Sequence, residues 1–164
     1  MGYKKAKGRS DIFQTPRVAI EPIVQFIPQD YSIWEPACGN GNIVNFFIEK
    51  NYEVLGTDLQ MGYDFFENEV DASCIITNPP YSIKDAWIKR CYELEKPFML
   101  LLPITALEGI KRQKLYKDNG IQLILFNRRI NYQTPSGNGS GAFFSSAWFC
   151  SGFNLPEQLN FLEI

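Results

Sequence analysis

Residues 73–77, Ser-Cys-Ile-Ile-Thr, read as a short buried strand, and the tetrapeptide Asn78-Pro79-Pro80-Tyr81 ends it. Proline has no N–H to give to a sheet ladder, so the chain must leave the sheet there. What remains is a stiff platform that displays one carboxamide and one aromatic ring at the carboxyl end of a strand. Open α/β sheets bind their ligands along that edge. Such a platform can grip a planar amino group.

Strand and helix patterns alternate around it. Strands are expected over 32–35, 53–57, 98–102, 121–126 and 142–150. Helices are expected over 42–50, with Ile43, Phe46 and Phe47 on one face, over 84–95, with Trp87, Cys91 and Leu94 on one stripe, and over 106–118. Asn119-Gly120 is a helix stop. Thr15-Pro16 reads as a helix start with threonine as N-cap, and Pro22 should split or kink that helix. The alternation predicts an α/β fold, a three-layer sandwich around a mostly parallel sheet. Only the loop 127–141 joins the last two strands, so the last strand should lie antiparallel to its neighbour.

The chain has 164 residues, 45% of them hydrophobic, which predicts one domain over residues 11–164 behind a flexible basic tail, residues 1–10. Lys4, Lys5, Lys7 and Arg9 make that tail either a solvated terminus or a phosphate-touching arm. A net charge of −2 excludes a global positive field, so contact with a polyanion must rest on local patches. The chain has four cysteines, no Cys-x-x-Cys spacing and no histidine, which argues against a zinc site. Cys74, Cys91 and Cys150 fall in apolar patterns and are expected in the core, in a reduced, cytoplasmic protein. The first residues are polar and basic, unlike a signal peptide. The longest apolar stretch, 97–107, is shorter than the ~20 residues of a membrane span, so no membrane partner is expected.

A second motif, Trp34-Glu35-Pro36-Ala37-Cys38-Gly39-Asn40-Gly41, places a glycine loop between a strand and a helix. Gly39 and Gly41 leave room for a ligand beside the backbone, and Asn42 opens the helix with free N–H groups. The loop lacks the Gly-Lys-Ser/Thr of a nucleotide P-loop, and Val44 stands where a dinucleotide fingerprint needs glycine. Glu35, just before the loop, would repel a phosphate and attract a cation. Asp58, at the end of the next strand, can accept both hydroxyls of a ribose.

Glu35-Pro36-Ala37-Cys38-Gly39-Asn40-Gly41 and Asn78-Pro79-Pro80-Tyr81 together resemble the motifs of the S-adenosylmethionine-dependent DNA adenine-N6 methyltransferases, in the small phage and prophage form. The resemblance implies a Rossmann-like class I methyltransferase fold with an antiparallel last strand. It implies S-adenosyl-L-methionine as cofactor and DNA, duplex or single-stranded, as partner. Carried over residue by residue, it assigns Thr15, Pro16, Glu35, Pro36, Ala37, Cys38, Gly39, Gly41, Asp58, Leu59, Asp64, Phe65 and Asn78 to the cofactor. Leu59 would pack on the cofactor's adenine, Asp64 would meet its amino group, and the Phe65 backbone its ring edge. Asn78, Pro79, Pro80 and Tyr81 would be catalytic. Asn78 Oδ1 and the Pro79 carbonyl would each accept one hydrogen of the target N6 amino group, and Tyr81 would stack on the base. No metal is implied.

Asn-Pro-Pro-Tyr also occurs in protein glutamine methylases and, in variant form, in RNA guanine methylases. RNA adenine or a protein glutamine therefore stays open as acceptor, as does a non-catalytic, methyltransferase-like nucleic-acid-binding subunit. Larger relatives carry a target-recognition domain after this core, whereas here only residues 154–164 come after the last expected strand. The candidate reader is the segment 127–141, with Arg128, Arg129, Asn131, Tyr132 and Gln133 ahead of a glycine run, set against an ordinary solvated loop. Lys111, Arg112, Lys114 and Lys117 read mainly as a solvated helix face. So small a reading surface predicts short or relaxed specificity, or a partner subunit that recognises the target.

Overall fold

The computed structural model describes residues 13–134, 137–138 and 144–164. The expected basic tail, Gly139-Ser140-Gly141 and the start of the strand expected from Ala142 lie outside the described residues.

Short apolar runs become the sheet. Strands β1 (Ser32–Glu35), β2 (Glu53–Gly56), β3 (Cys74–Thr77) and β4 (Phe98–Pro103) are parallel, with Trp34 beside both Leu55 and Ile75, and Thr77 beside Leu100. Strand β5 (Gln122–Phe126) is succeeded by a two-residue ladder of β6 (Gln133–Thr134) and β7 (Gly137–Asn138), and then by β8 (Ser146–Ser151). Strand β8 runs antiparallel between β4 and β5, pairing Trp148 with Leu101 and with Ile124. Among the described residues the main sheet has seven strands, ordered β2-β1-β3-β4-β8-β5-β9.

The last member, β9 (Leu159–Leu162), is absent from the sequence expectation. It pairs parallel with β5 at the sheet's edge. Its alternation is inverted. Asn160 is buried and donates to the carbonyls of Leu123 (3.1 Å) and Glu157 (2.8 Å), while Leu159 and Phe161 face outward, Phe161 76% exposed. A polar residue can point inward here because its amino group finds two backbone acceptors.

Period-two alternation splits the core into two layers. Met99, Leu101, Trp148 and Cys150 face one side with Ile20, Ile23, Phe46 and Phe47. Leu100, Leu102, Ala147 and Phe149 face the other with Trp87, Ile88, Cys91 and Tyr116. Helices α1 (Arg17–Ile20) and α2 (Asn42–Glu49) supply the first layer, α3 (Lys84–Glu93) and α4 (Ile110–Asn119) the second. Cys74, Cys91 and Cys150 are buried.

Two helix boundaries differ from expectation. Thr15 is not a cap. Pro16 holds the N-cap position of α1, which passes at Glu21 into a 3-10 stretch, Glu21–Phe26, containing Pro22. The helix expected from Ala106 is a 3-10 turn, Ile104–Leu107, and then α4. Gly109 separates them at φ 110°, a conformation in which only glycine is unstrained. Among the described residues no helix is long and apolar enough to cross a membrane.

Candidate active site

Because β1, β2 and β3 are parallel, Glu35, Asp58 and Asn78 all emerge at one edge of the sheet. They line one cleft of about 500 Å³, together with Thr15, Ala37, Cys38, Gly39 and Pro80. The cleft lies where open α/β sheets accept ligands.

Glu35 is 1% exposed, and its Oε1 accepts the Ala37 N–H at 2.9 Å. Burial pushes its carboxyl up to about 8, helped by the negative charge of Asp58 and opposed by the Thr77 hydroxyl and the Ala37 N–H. Thr77 Oγ1 is buried beside this carboxyl and completes no hydrogen bond among the described residues. Asp58 Oδ2 accepts the Gly39 N–H at 3.0 Å and Oδ1 accepts the Gln60 N–H at 2.9 Å. The side chain thereby couples the glycine loop to the 3-10 turn Leu59–Met61. Gly41 sits at φ 86° and caps α2. The Cys38 thiol is pushed up by burial and by the charges of Glu35 and Asp58, which disfavours a nucleophilic thiolate.

Asn78 is held from one side. Its Nδ2 donates to Thr15 Oγ1 at 3.0 Å and to the Phe13 carbonyl at 3.4 Å. A carbonyl can only accept, so the amino half of the amide must face Phe13. The other half, Asn78 Oδ1, is buried and has no hydrogen-bond partner among the described residues. A buried orphan acceptor on a residue that lines a ligand-sized cleft is an uncommon arrangement that a bound donor would relieve.

Segment 13–15 crosses the cleft. Asn42 Nδ2 donates to the Thr15 carbonyl at 3.1 Å, and the Gln14 side chain accepts the Asn40 N–H at 3.3 Å. Phe13, Gln14, Asn40, Ile43 and Gln60 line the cleft without having been singled out from the sequence. The adjacency of Phe13 and Gln14 to Thr15-Pro16 was the available signal.

Other expected residues stand apart from the cleft lining. Pro16 borders an adjoining hollow of about 290 Å³. Pro36 and Pro79 are buried, and Leu59 is 57% exposed beside Asp58. Asp64 closes a turn by accepting the Phe66 N–H at 2.9 Å, and Phe65 stacks on Trp87 with ring centroids 4.2 Å apart. Tyr81 opens the 3-10 turn Tyr81–Ile83 ahead of α3. Arg128 and Arg129 are exposed, but Tyr132 is 3% exposed, so it cannot meet nucleic acid from the surface in this conformation. Its hydroxyl meets that of Tyr81 instead, at 3.1 Å.

An acidic cleft suits a cationic ligand with vicinal hydroxyls, and a buried carbonyl oxygen suits an amino group. No family model and no curated protein matches the chain. Solved structures do resemble it. The modification subunit of a candidate type I restriction enzyme from Vibrio vulnificus superposes with a TM-score of 0.55 at 14% identity, over 88% of this chain and 45% of that one. A candidate RNA methyltransferase from Pyrococcus horikoshii gives 0.53 at 11% identity, over 92% and 90%. A candidate class I S-adenosylmethionine-dependent methyltransferase from Listeria monocytogenes gives 0.50 at 13% identity, over 90% and 62%. The chain thus spans less than half of the Vibrio subunit and under two thirds of the Listeria protein. The fold of this chain is the Rossmann-like class I methyltransferase fold.

Proposed function

We propose that this protein transfers a methyl group from S-adenosylmethionine to the N6 amino group of adenine in DNA. The observation that carries the reading is Asn78 Oδ1, buried at the cleft and unpartnered among the described residues while Nδ2 is tied to Thr15 and Phe13. The tether leaves the oxygen as the half of the amide that can engage a ligand.

The residues fit the cofactor. Glu35 is a buried carboxyl group, and among the described residues no cationic side chain lines its cleft; an ammonium or sulfonium group would supply the missing charge. Asp58 keeps lone pairs on both oxygens for a ribose diol. Ala37, Cys38 and Gly39 border the same space. Asp64, Phe65 and Leu59 keep the roles the resemblance implies as part of the proposal. Bound S-adenosylmethionine would supply an electrophilic methyl group, its S–CH3 bond breaking to leave a neutral thioether while the surplus N6 proton passes to solvent.

The N6 lone pair of adenine is delocalised into its ring. Asn78 Oδ1 accepts one N6–H and the Pro79 carbonyl the other. Two fixed acceptors favour the sp³-like nitrogen as positive charge develops on it, which is preorganised electrostatic stabilisation. The double proline holds the platform rigid, and Tyr81 stacks on the base. In duplex DNA the base must first leave the stack, at roughly a few kcal/mol. Exposed Arg128 and Arg129 are the phosphate contacts of this reading, and a partner subunit would add target choice.

The test is transfer from labelled S-adenosylmethionine to unmethylated DNA, with nucleoside mass spectrometry of the product. N6-methyladenine should form with wild type. With Asn78→Ala it should fall by at least about 10²-fold, as for loss of one preorganised transition-state contact, while cofactor affinity stays within a few-fold. Label in RNA or protein but not in DNA would replace the acceptor. Cofactor binding without any transfer would favour the non-catalytic subunit.

A further inference from the structure

Three hydroxyls stand in line behind the Asn-Pro-Pro-Tyr platform. The Tyr132 hydroxyl donates to Ser146 Oγ at 2.7 Å, and the Tyr81 hydroxyl lies 3.1 Å from that of Tyr132. Tyr132 has one proton and gives it to Ser146, so Tyr81 must be the donor in the second bond. Tyr132 and Ser146 are 3% and 5% exposed, so water does not compete for either. Rings hold the line from the side. Phe144 meets Tyr81 edge-on, with centroids 5.5 Å apart at 80°, and Tyr132 packs on Phe13 and Phe144 at 5.5 and 6.0 Å.

The phenol oxygen is the point of Tyr81 farthest from its backbone. A hydrogen bond there restrains the ring's two torsions more than any contact nearer the pivot. Stacking alone does not require a hydroxyl, since phenylalanine offers the same face. Tyr81 carries one, and it ends on a residue 51 positions away that is itself anchored to the first residue of β8. The ring's direction is therefore set by the far half of the sheet as well as by the local turn.

We infer that Tyr132 is a positioning residue for Tyr81, aiming its ring at the acceptor base through the hydroxyl line to Ser146. The inference rests on the reading of Tyr81 as the base-stacking group. It also changes the part played by the segment after β5. Exposed Arg128 and Arg129 lie a few residues before Tyr132, so one short stretch of chain both touches solvent and aims the ring.

The test is a double-mutant cycle of Tyr132→Phe and Tyr81→Phe, each of which keeps its ring and loses the shared bond. Tyr132→Phe should raise the KM for DNA about three- to tenfold, the effect of one buried neutral hydrogen bond. The kcat and the calorimetric Kd for S-adenosylmethionine should stay within about twofold, because the hydroxyl itself touches neither reactant. Tyr81→Phe should raise that KM to a similar extent, and the KM of the double variant should be no higher than that of either single one. Effects that multiply, an unchanged KM, or a KM that falls because Tyr81 has been released would each overturn the inference. The NMR signal of the ¹³Cζ-labelled Tyr81 gives a readout independent of substrate, and it should shift in Tyr132→Phe. Absence of transfer to DNA by the wild type would sink the proposed function alone. The ¹³Cζ signal would then decide the positioning role, sustained if it moves and refuted if it does not.

Discussion

Glu35→Gln should stabilise the protein above neutral pH, by an amount the structure sets. The folded chain moves the Glu35 carboxyl from 4.5 to about 8, chiefly by burial. The folded state therefore keeps a proton that the unfolded state loses. Below pH 4.5 both states are protonated and stability is indifferent to this group. Between pH 4.5 and about 8 the folded state binds more protons, so stability falls as pH rises. Above about 8 both states are ionised and the slope disappears. At about 1.4 kcal/mol per pH unit, the accumulated cost is about 3 kcal/mol at about pH 7 and about 5 kcal/mol above about pH 8. That is a large part of the roughly 5–15 kcal/mol by which a typical domain is stable. Glutamine removes the titration. Its Oε1 can still accept the Ala37 N–H, and its amino group has Thr77 Oγ1 as a waiting acceptor. Urea unfolding of both proteins between about pH 5 and pH 9, without cofactor, measures the difference. The curves should nearly coincide at about pH 5 and separate steadily to about pH 8, the variant becoming the more stable. Parallel curves would refute the reasoning, since they would show that Glu35 ionises in the folded state as it does in water. Added S-adenosylmethionine should narrow the gap, because its positive charge favours the ionised carboxylate of the wild type only.

Three smaller perturbations probe the same architecture. Asp58→Ala removes the acceptor for the Gly39 and Gln60 N–H groups and should weaken cofactor binding by at least about tenfold in calorimetry, with about 1 kcal/mol of stability lost with the cap. Gly56→Ala places a Cβ 2.7 Å from Val44 Cγ2 and 3.2 Å from Cys38 Cβ, which should cost about 1–3 kcal/mol in denaturant unfolding, and an unchanged midpoint would mean the glycine loop yields freely. Replacing Arg128 and Arg129 together by alanine should leave the melting temperature nearly unchanged and flatten the log–log salt dependence of DNA affinity by about one to two ions.

Strands β1, β3 and β4 were legible in the sequence because parallel strands are covered on both faces and so appear as unbroken apolar runs. The amphipathic faces of α2 and α3 were legible for the related reason that one stripe must meet that sheet. Strand β9 was not, since it buries Asn160 and exposes Leu159 and Phe161, the reverse of the pattern that identifies a strand. The break at Gly109 was hidden as well, because a single glycine is compatible with either a helix or its end. In the site, Glu35, Asp58 and Asn78 could be picked out individually as polar residues closing apolar strands. Tyr132 could not be read as an interior residue, lying as it does among arginine, asparagine and glutamine.

By itself, then, the amino-acid sequence determined the α/β class, the mainly parallel sheet and the residue types available at its carboxyl edge, because these depend on local propensity and on the periodicity of apolar side chains. Only the tertiary structure decided which half of the Asn78 amide is engaged, how far burial shifts Glu35, and that Tyr132 turns inward to Tyr81. Each of these depends on groups brought together from distant parts of the chain: Phe13 and Thr15 on Asn78, Asp58 and Thr77 around Glu35, Ser146 behind Tyr132. A hydrogen bond acts over about 3 Å and burial is a property of the whole packed domain, so neither leaves a periodic trace in a single sequence.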